Sequence, residues 1–316
     1  MVLNFEQIVC IDRSGTAVAD RTMEPAGLRP GRAHMTFGEE AVVTADWMSL
    51  KGQEPPAPAG IDVSVPHSAR IWNYWLGGKD NFAVDRAVGE QVKEMFPGIA
   101  LVALLQREFL VRAVSYLAGP AGIRQFLDIG TGLPSADNTH QVAQRVAPAC
   151  RVVYVDNDPI VLVHARALLT SDPAGATAYV EADLRDPARI LAATAQTLDF
   201  AQPVALMLLG ILGHIGSGEE AASVTKALLG ELAPGGYLAV ADGVNTDPAG
   251  NEAQDRYNQQ SPVPYHLRSP AQLAAFFDGL RLVEPGVVPC SQWRPDAQAG
   301  IEPPEAAVYC GVAVKP

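Results

Sequence analysis

Apolar residues recur along this chain first with a helical period and then in an alternation of strand-like and helix-like runs. Over AVDRAVGEQVKEMF (83–96) and ALVALLQREFLVRAVSYLAG (100–119) they return every three or four residues, which predicts two amphipathic helices. Gly119-Pro120 stops the second helix, and no strand is expected before it. Beyond Gly122 the rhythm changes. QFLDIG (125–130), RVVYVD (151–156), ATAYVEA (176–182), PVALMLLGIL (203–212) and YLAVADG (237–243) read as strands. SADNTHQVAQRVA (135–147), PIVLVHARALL (159–169), PARILAATAQTL (187–198) and GEEAASVTKALLGEL (218–232) read as the helices between them. AQLAAFFDGL (271–280) is a further helix, and RLVEPGVVP (281–289) and AAVYCGVAVK (306–315) are two closing strands. A strand–helix series of this kind predicts an α/β fold, a mostly parallel seven-stranded sheet with helices on both faces.

Three segments follow. Residues 1–60 mix Gly, Pro and charge without a sustained period and end in GQEPPAPAG (52–60), which predicts a disordered or weakly ordered extension, with Met35 and Met48 as alternative starts. Residues 61–120 predict a helical N-terminal cover, and 121–316 the ligand-binding α/β domain.

The formal charge of −12 argues against nucleic acid, whose affinity depends on neutralising phosphates. Cys10, Cys150, Cys290 and Cys310 form no close pair, so neither a metal site nor a redox motif is expected, and reduced thiols suit a cytoplasmic protein. The longest apolar run, Val204 to Leu212, is too short to cross a bilayer, and the N-terminus lacks a signal core. The expected partner is a small molecule; oligomeric state is left open.

In a doubly wound sheet ligands bind at the carboxyl ends of the strands. There the first strand offers Asp128, Gly130, Thr131 and Gly132, a glycine turn that lets backbone approach a ligand. The second offers Asp156 and Asn157, roughly 20 residues beyond the glycine loop, where an acid accepts bonds from a ribose diol. Asp158, just before Pro159, suits a helix N-cap instead. The third offers Asp183 and Leu184, a carboxylate and an amide suited to adenine; a turn before Asp186-Pro187 is the bland alternative. The dinucleotide fingerprint wants a third glycine where this chain has Ser135 after Pro134. Asp128 suits a cationic ligand with a free amino group and repels a pyrophosphate. His214, after the fourth strand, is the candidate general base, with Tyr257 and His266 weaker candidates.

The DIGTG loop, YVDNDP and EADL resemble the three cofactor motifs of class I S-adenosylmethionine-dependent methyltransferases, which have a Rossmann-like fold. VPHSARIWNYWLGGKDNFAVDR (65–86) together with FLDIGTGLP (126–134) resembles, more narrowly, the actinobacterial S-adenosyl methyltransferase family formerly called a domain of unknown function. The resemblance implies S-adenosylmethionine as cofactor, with Asp128, Gly130 and Gly132 around its methionine part, Asp156 on the ribose, and Asp183 with Leu184 on the adenine. It also implies that Arg70, Asn73, Tyr74, Lys79 and Asn81 form a cofactor cover, against the alternative of a structural helix and polar turn. It names no acceptor. An NAD-dependent oxidoreductase and a non-catalytic S-adenosylmethionine-binding regulator are the rival readings.

Overall fold

A computed structural model describes residues 62–316 except 159, 162, 165–169, 262 and 296–305. The expected extension, 1–60, lies outside the described residues, as does much of the helix expected over 159–169; Ile160, Val161, Val163 and His164 are helical.

The sheet is built on β1 (Gln125–Ile129), β2 (Arg151–Asp156), β3 (Ala176–Glu181), β4 (Ala205–Leu209) and β5 (Tyr237–Gly243), all parallel. β6 (Arg281–Leu282), β7 (Val288–Pro289) and β8 (Val308–Val314) complete it, with β8 antiparallel to β5, β6 and β7. The strand order is β3-β2-β1-β4-β5-β8-β6, with β7 also on β8. The sheet therefore has eight strands rather than seven. The run RLVEPGVVP is interrupted at Pro285-Gly286, and its two halves pair with opposite ends of β8.

β1 is buried along its whole length, Gln125 and Asp128 included, and β4 is wholly apolar, because both sheet faces are covered. Successive side chains alternate between two cores. Phe126, Val152 and Met207 join one, with Phe109, Leu117 and Trp293. Leu127, Val153 and Leu206 join the other, with Ile190, Leu228 and Leu273. α3 (Ile99–Ala118) covers the first face, and Trp293, fully buried, meets its Phe109 edge-on at 5.3 Å.

α4 (Thr139–Val146) starts four residues later than the sequence pattern suggests. Asn138 is its N-cap residue and donates its backbone N–H and Nδ2 to Gln141 Oε1, while Asp137 takes a left-handed backbone (φ 58°) in the loop before it. α5 (Pro187–Thr194) and α6 (Gly218–Gly230) begin at caps Asp186 and Ser217. Three helices form a roof near the strand ends: α1 (Ser68–Trp75) with α2 (Ala83–Met95), and α7 (Pro248–Gln260), which packs on α2. α7 escaped the sequence reading because PAGNEAQDRYNQQ is polar nearly throughout; Asp247 before Pro248 is its start signal, accepting from the Ala249 and Gly250 amides. Ile71, Val92, Ala253 and Tyr257 give this roof an apolar cluster of its own. α8 (Pro270–Ala274) is shorter than expected, and its continuation, Ala275–Phe277, is a 3₁₀ turn. No described helix is long and apolar enough to cross a membrane.

Candidate active site

The chain runs β1–β2–β3 outward and then returns to place β4 beside β1. The crevice at that reversal is where an open α/β sheet binds ligands. A cavity of about 570 Å³ opens there. Asp128, Gly130, Thr131, Gly132, Asp156, Asn157, Asp183, Leu184 and His214 all line it, as do Tyr257 and His266.

The loop after β1 turns on two glycines with positive φ, Gly130 (74°) and Gly132 (63°). A Cβ on Gly130 would stand 2.5 Å from Ile211 Cγ1, so no side chain fits. A Cβ on Gly132 would meet nothing within 4 Å. Asp156 ties β2 to this loop: one oxygen accepts from the Gly132 amide at 3.0 Å and the other from the Asp158 amide at 2.9 Å. Each oxygen keeps a further lone pair for a ligand. Burial nonetheless pushes its carboxyl up, against those two bonds.

Asp128 accepts a 2.6 Å bond from Thr139 Oγ1, the first residue of α4. Burial raises its carboxyl to about 6, opposed by the Thr139 bond and the nearby Arg107 charge. Asp183 is half-exposed and accepts from the Arg185 amide at 2.8 Å. Asp158 caps the following helical segment through Ile160, and its other oxygen lies 3.1 Å from His67 Nδ1.

The five polar residues expected in the cover do not line this cavity. Arg70 is buried, with Nε 2.9 Å from Asp85 and its other nitrogens on the Asp62 and Val65 carbonyls. Asn73 accepts from the Asp80 amide and from Asn81 Nδ2, and Asn81 also bonds the Gly78 carbonyl. Tyr74 bonds Glu90, and Lys79 is exposed. The Gly77-Gly78 turn is fastened by these bonds, with Gly78 pressed against Asn73. His67, Ile71, Trp72 and Trp75 face the cavity instead.

Gln106 and Arg107 were also missed as lining residues. Arg107 donates through Nε and Nη2 to the Ala136 carbonyl at 3.1 and 2.7 Å, which aims it past the glycine loop. The only sequence signal was a polar pair inside the apolar run LVALLQREFLV.

A family model described as S-adenosyl methyltransferase matches residues 54–316. The chain belongs to the S-adenosyl methyltransferase family. A DUF574 family protein from Streptomyces avermitilis is 44% identical, with 81% of this chain and 99% of that one covered and a TM-score of 0.77. A second solved structure, from Thermobifida fusca, is 41% identical, with 83% and 99% covered and a TM-score of 0.76. No curated protein matches the chain. S-adenosylmethionine is the cofactor of this methyltransferase, and the oxidoreductase reading falls away.

The donor set suits that cofactor: paired buried carboxylates, and a glycine at 132 with open space where a Cβ would point. Nothing in the S-adenosyl methyltransferase cavity resembles a metal centre; among the described residues no group of three His, Cys, Asp or Glu converges. At its β4 end His214 Nδ1 lies 3.0 Å from the Pro264 carbonyl, and its ring meets Tyr265 edge-on at 5.1 Å. A carbonyl only accepts, so Nδ1 carries the proton and Nε2 is left as a lone-pair acceptor. Burial pushes the imidazole down, which favours that neutral form. Tyr265 is itself fixed by donating to buried Asp242 at 2.6 Å; burial raises that carboxyl to about 7.

Proposed function

We propose that this methyltransferase acts on a small-molecule acceptor, with Asp128, Asp156 and Asp183 holding the cofactor and His214 receiving the acceptor's proton. The observation that carries the reading is that a single crevice brings together Asp128 of β1, Asp156 at the end of β2, Asp183 just past β3 and an imidazole after β4. Bound S-adenosylmethionine supplies a methyl group already activated by positive sulfur. The chain's work is then alignment, exclusion of water and acceptance of a proton. Asp128 would hold the cationic methionyl amino group, Arg107 its carboxylate, and Asp156 the ribose hydroxyls. Leu184 and Asp183 would hold the adenine. α1 closes the roof with Trp72 and Trp75, and the polar residues behind them hold its turn.

Calorimetry tests this directly. S-adenosylhomocysteine should bind and NAD should not; NAD binding without a response to the sulfur compound would end the proposal. Asp156→Ala should weaken S-adenosylhomocysteine by roughly ten- to a hundredfold, the loss of about 1.5–3 kcal/mol for bonds to a charged group. Part of that loss comes from freeing the Gly132 and Asp158 amides, so a melting curve must accompany it. Unchanged affinity in a folded variant removes Asp156 from the site.

Asp128 makes affinity depend on pH. Burial places its carboxyl at about 6 in the free protein, and a cationic amino group needs the ionised form. Protonation therefore competes with binding. Affinity should be flat above that value and fall by about tenfold per pH unit below it. Proton release on binding at pH 5.5, measured in buffers of different ionisation enthalpy, checks the sign. Equal affinity at pH 5 and 7.5 would separate Asp128 from the amino group.

A further inference from the structure

The cavity has two chemically different ends, and the strand order sets which is which. Along β3-β2-β1-β4-β5 the ligand-facing residues run Asp183, Asp156, Asp128 and then His214. α7 follows β5, so its wall stands at the far end from the acids. The charged lining residues among those described are Arg107, Asp128, Asp156, Asp183 and Arg185; all but Arg185 stand at or face the β1–β3 end, and Arg185 reaches from Asp183 to donate to the His214 carbonyl at 2.7 Å. The wall brought by α1, α2 and α7 is Ile71, Trp72, Trp75, Val92, Phe96 and Tyr257, with Gln254 as a neutral polar member. Trp72 meets Trp75 edge-on at 5.8 Å, and Trp75 is held by donating from Nε1 to the Gly89 carbonyl at 3.1 Å.

This wall offers large apolar faces and no charge among the described lining residues. A carboxylate or phosphate placed against it would lose its hydration with no cation to pair with, and an ammonium would meet ring faces but no carboxylate. Flat rings would be favoured, since they bury much area and stack edge-on or offset against Trp and Phe. The polar group nearest the cofactor end is His214, whose Nε2 accepts a proton.

We propose that the acceptor is an uncharged, ring-bearing small molecule methylated on a hydroxyl oxygen that lies at His214. The inference rests on the methyltransferase reading of this cavity and adds the acceptor's chemistry to it. In the transfer the hydroxyl proton passes to His214 Nε2, the O–CH₃ bond forms as the S–CH₃ bond breaks, and the sulfur keeps the electron pair as a neutral thioether. The positive charge ends on the imidazolium, which loses its proton to solvent.

The test uses the full chain and three isosteres: 2-naphthol, naphthalene-2-sulfonate and 2-naphthylmethylammonium. Binding is followed by tryptophan quenching, with and without saturating S-adenosylhomocysteine. The neutral naphthol should bind saturably and at least about tenfold more tightly than either charged analogue. Trp75→Ala should weaken naphthol by about tenfold or more while S-adenosylhomocysteine affinity stays unchanged. A charged analogue that binds as well as naphthol, or naphthol that fails to saturate, overturns the proposal. If Trp75→Ala does not fold, the comparison of isosteres on the unaltered protein decides. Failure of S-adenosylhomocysteine to bind would strike the cofactor reading, and the isosteres measured without it still report on the apolar wall.

Discussion

Asp85→Ala is expected to destabilise the protein by about 3–5 kcal/mol, the cost of stranding one partner of a buried ion pair. Asp85 has no exposed surface and organises the start of the roof from a single point. One oxygen accepts from the His67 amide at 2.9 Å, the other from the Phe82 amide at 2.9 Å, and Arg70 Nε reaches both. The Phe82 bond caps α2, because Asp85 sits three residues into that helix and reaches back. The His67 bond fixes the entry to α1. Arg70 stacks over Phe82 at 5.3 Å and cannot leave for water without undoing its bonds to the Asp62 and Val65 carbonyls. Removing the carboxylate therefore leaves a buried cation and two unpaired amides. Chemical denaturation should show the loss in the midpoint. Asp85→Asn should cost less, since an amide oxygen can still accept from one backbone N–H. A change below about 1 kcal/mol in the alanine variant would mean the pair is not the anchor of the roof.

That anchor also explains what the sequence concealed. Arg70, Asn73 and Asn81 are polar residues beside a glycine pair, and this is what a ligand loop and a self-fastened turn both look like. The same N–H and C=O groups serve either purpose, and only the path of the chain decides. The parallel strands were legible because burial on both faces demands continuous apolar runs with turn residues between them. The acids at the carboxyl ends of β1, β2 and β3 were legible for a related reason: topology places strand ends at the crevice wherever the helices pack. Arg107 and Gln106 were not, because a long helix presents several faces to its surroundings and its sequence does not say which one meets the cavity. The late start of α4 could have been read from Asn138 and Gln141, a cap and its reciprocal partner three residues apart. The positive φ of Asp137 is the geometry that keeps residues 135–137 out of the helix.

His214→Gln is expected to lower kcat by about 10²–10⁴-fold, the usual scale for losing a positioned proton acceptor. The argument begins at the other ring nitrogen. Pro264 has only a carbonyl to offer Nδ1, so that nitrogen keeps its hydrogen and Nε2 keeps its lone pair. Tyr265 packs against the ring edge-on, and its own hydroxyl is pinned by Asp242, so the imidazole cannot easily turn over. Glutamine can reproduce the bond to Pro264 through its amide and fill much of the same space, but it cannot take up a proton. S-adenosylhomocysteine affinity should thus be unchanged while turnover falls. The pH dependence gives an independent reading. Burial shifts His214 below the ordinary histidine range, so the base is already free at neutral pH. The rate should fall only as pH drops through that lowered value, and this acidic limb should vanish in the glutamine variant. Both are measured with the acceptor found by a methyl-transfer screen, under saturating cofactor so that Asp128 does not contribute. An unaltered kcat and an unaltered acidic limb would show that the acceptor loses its proton without His214.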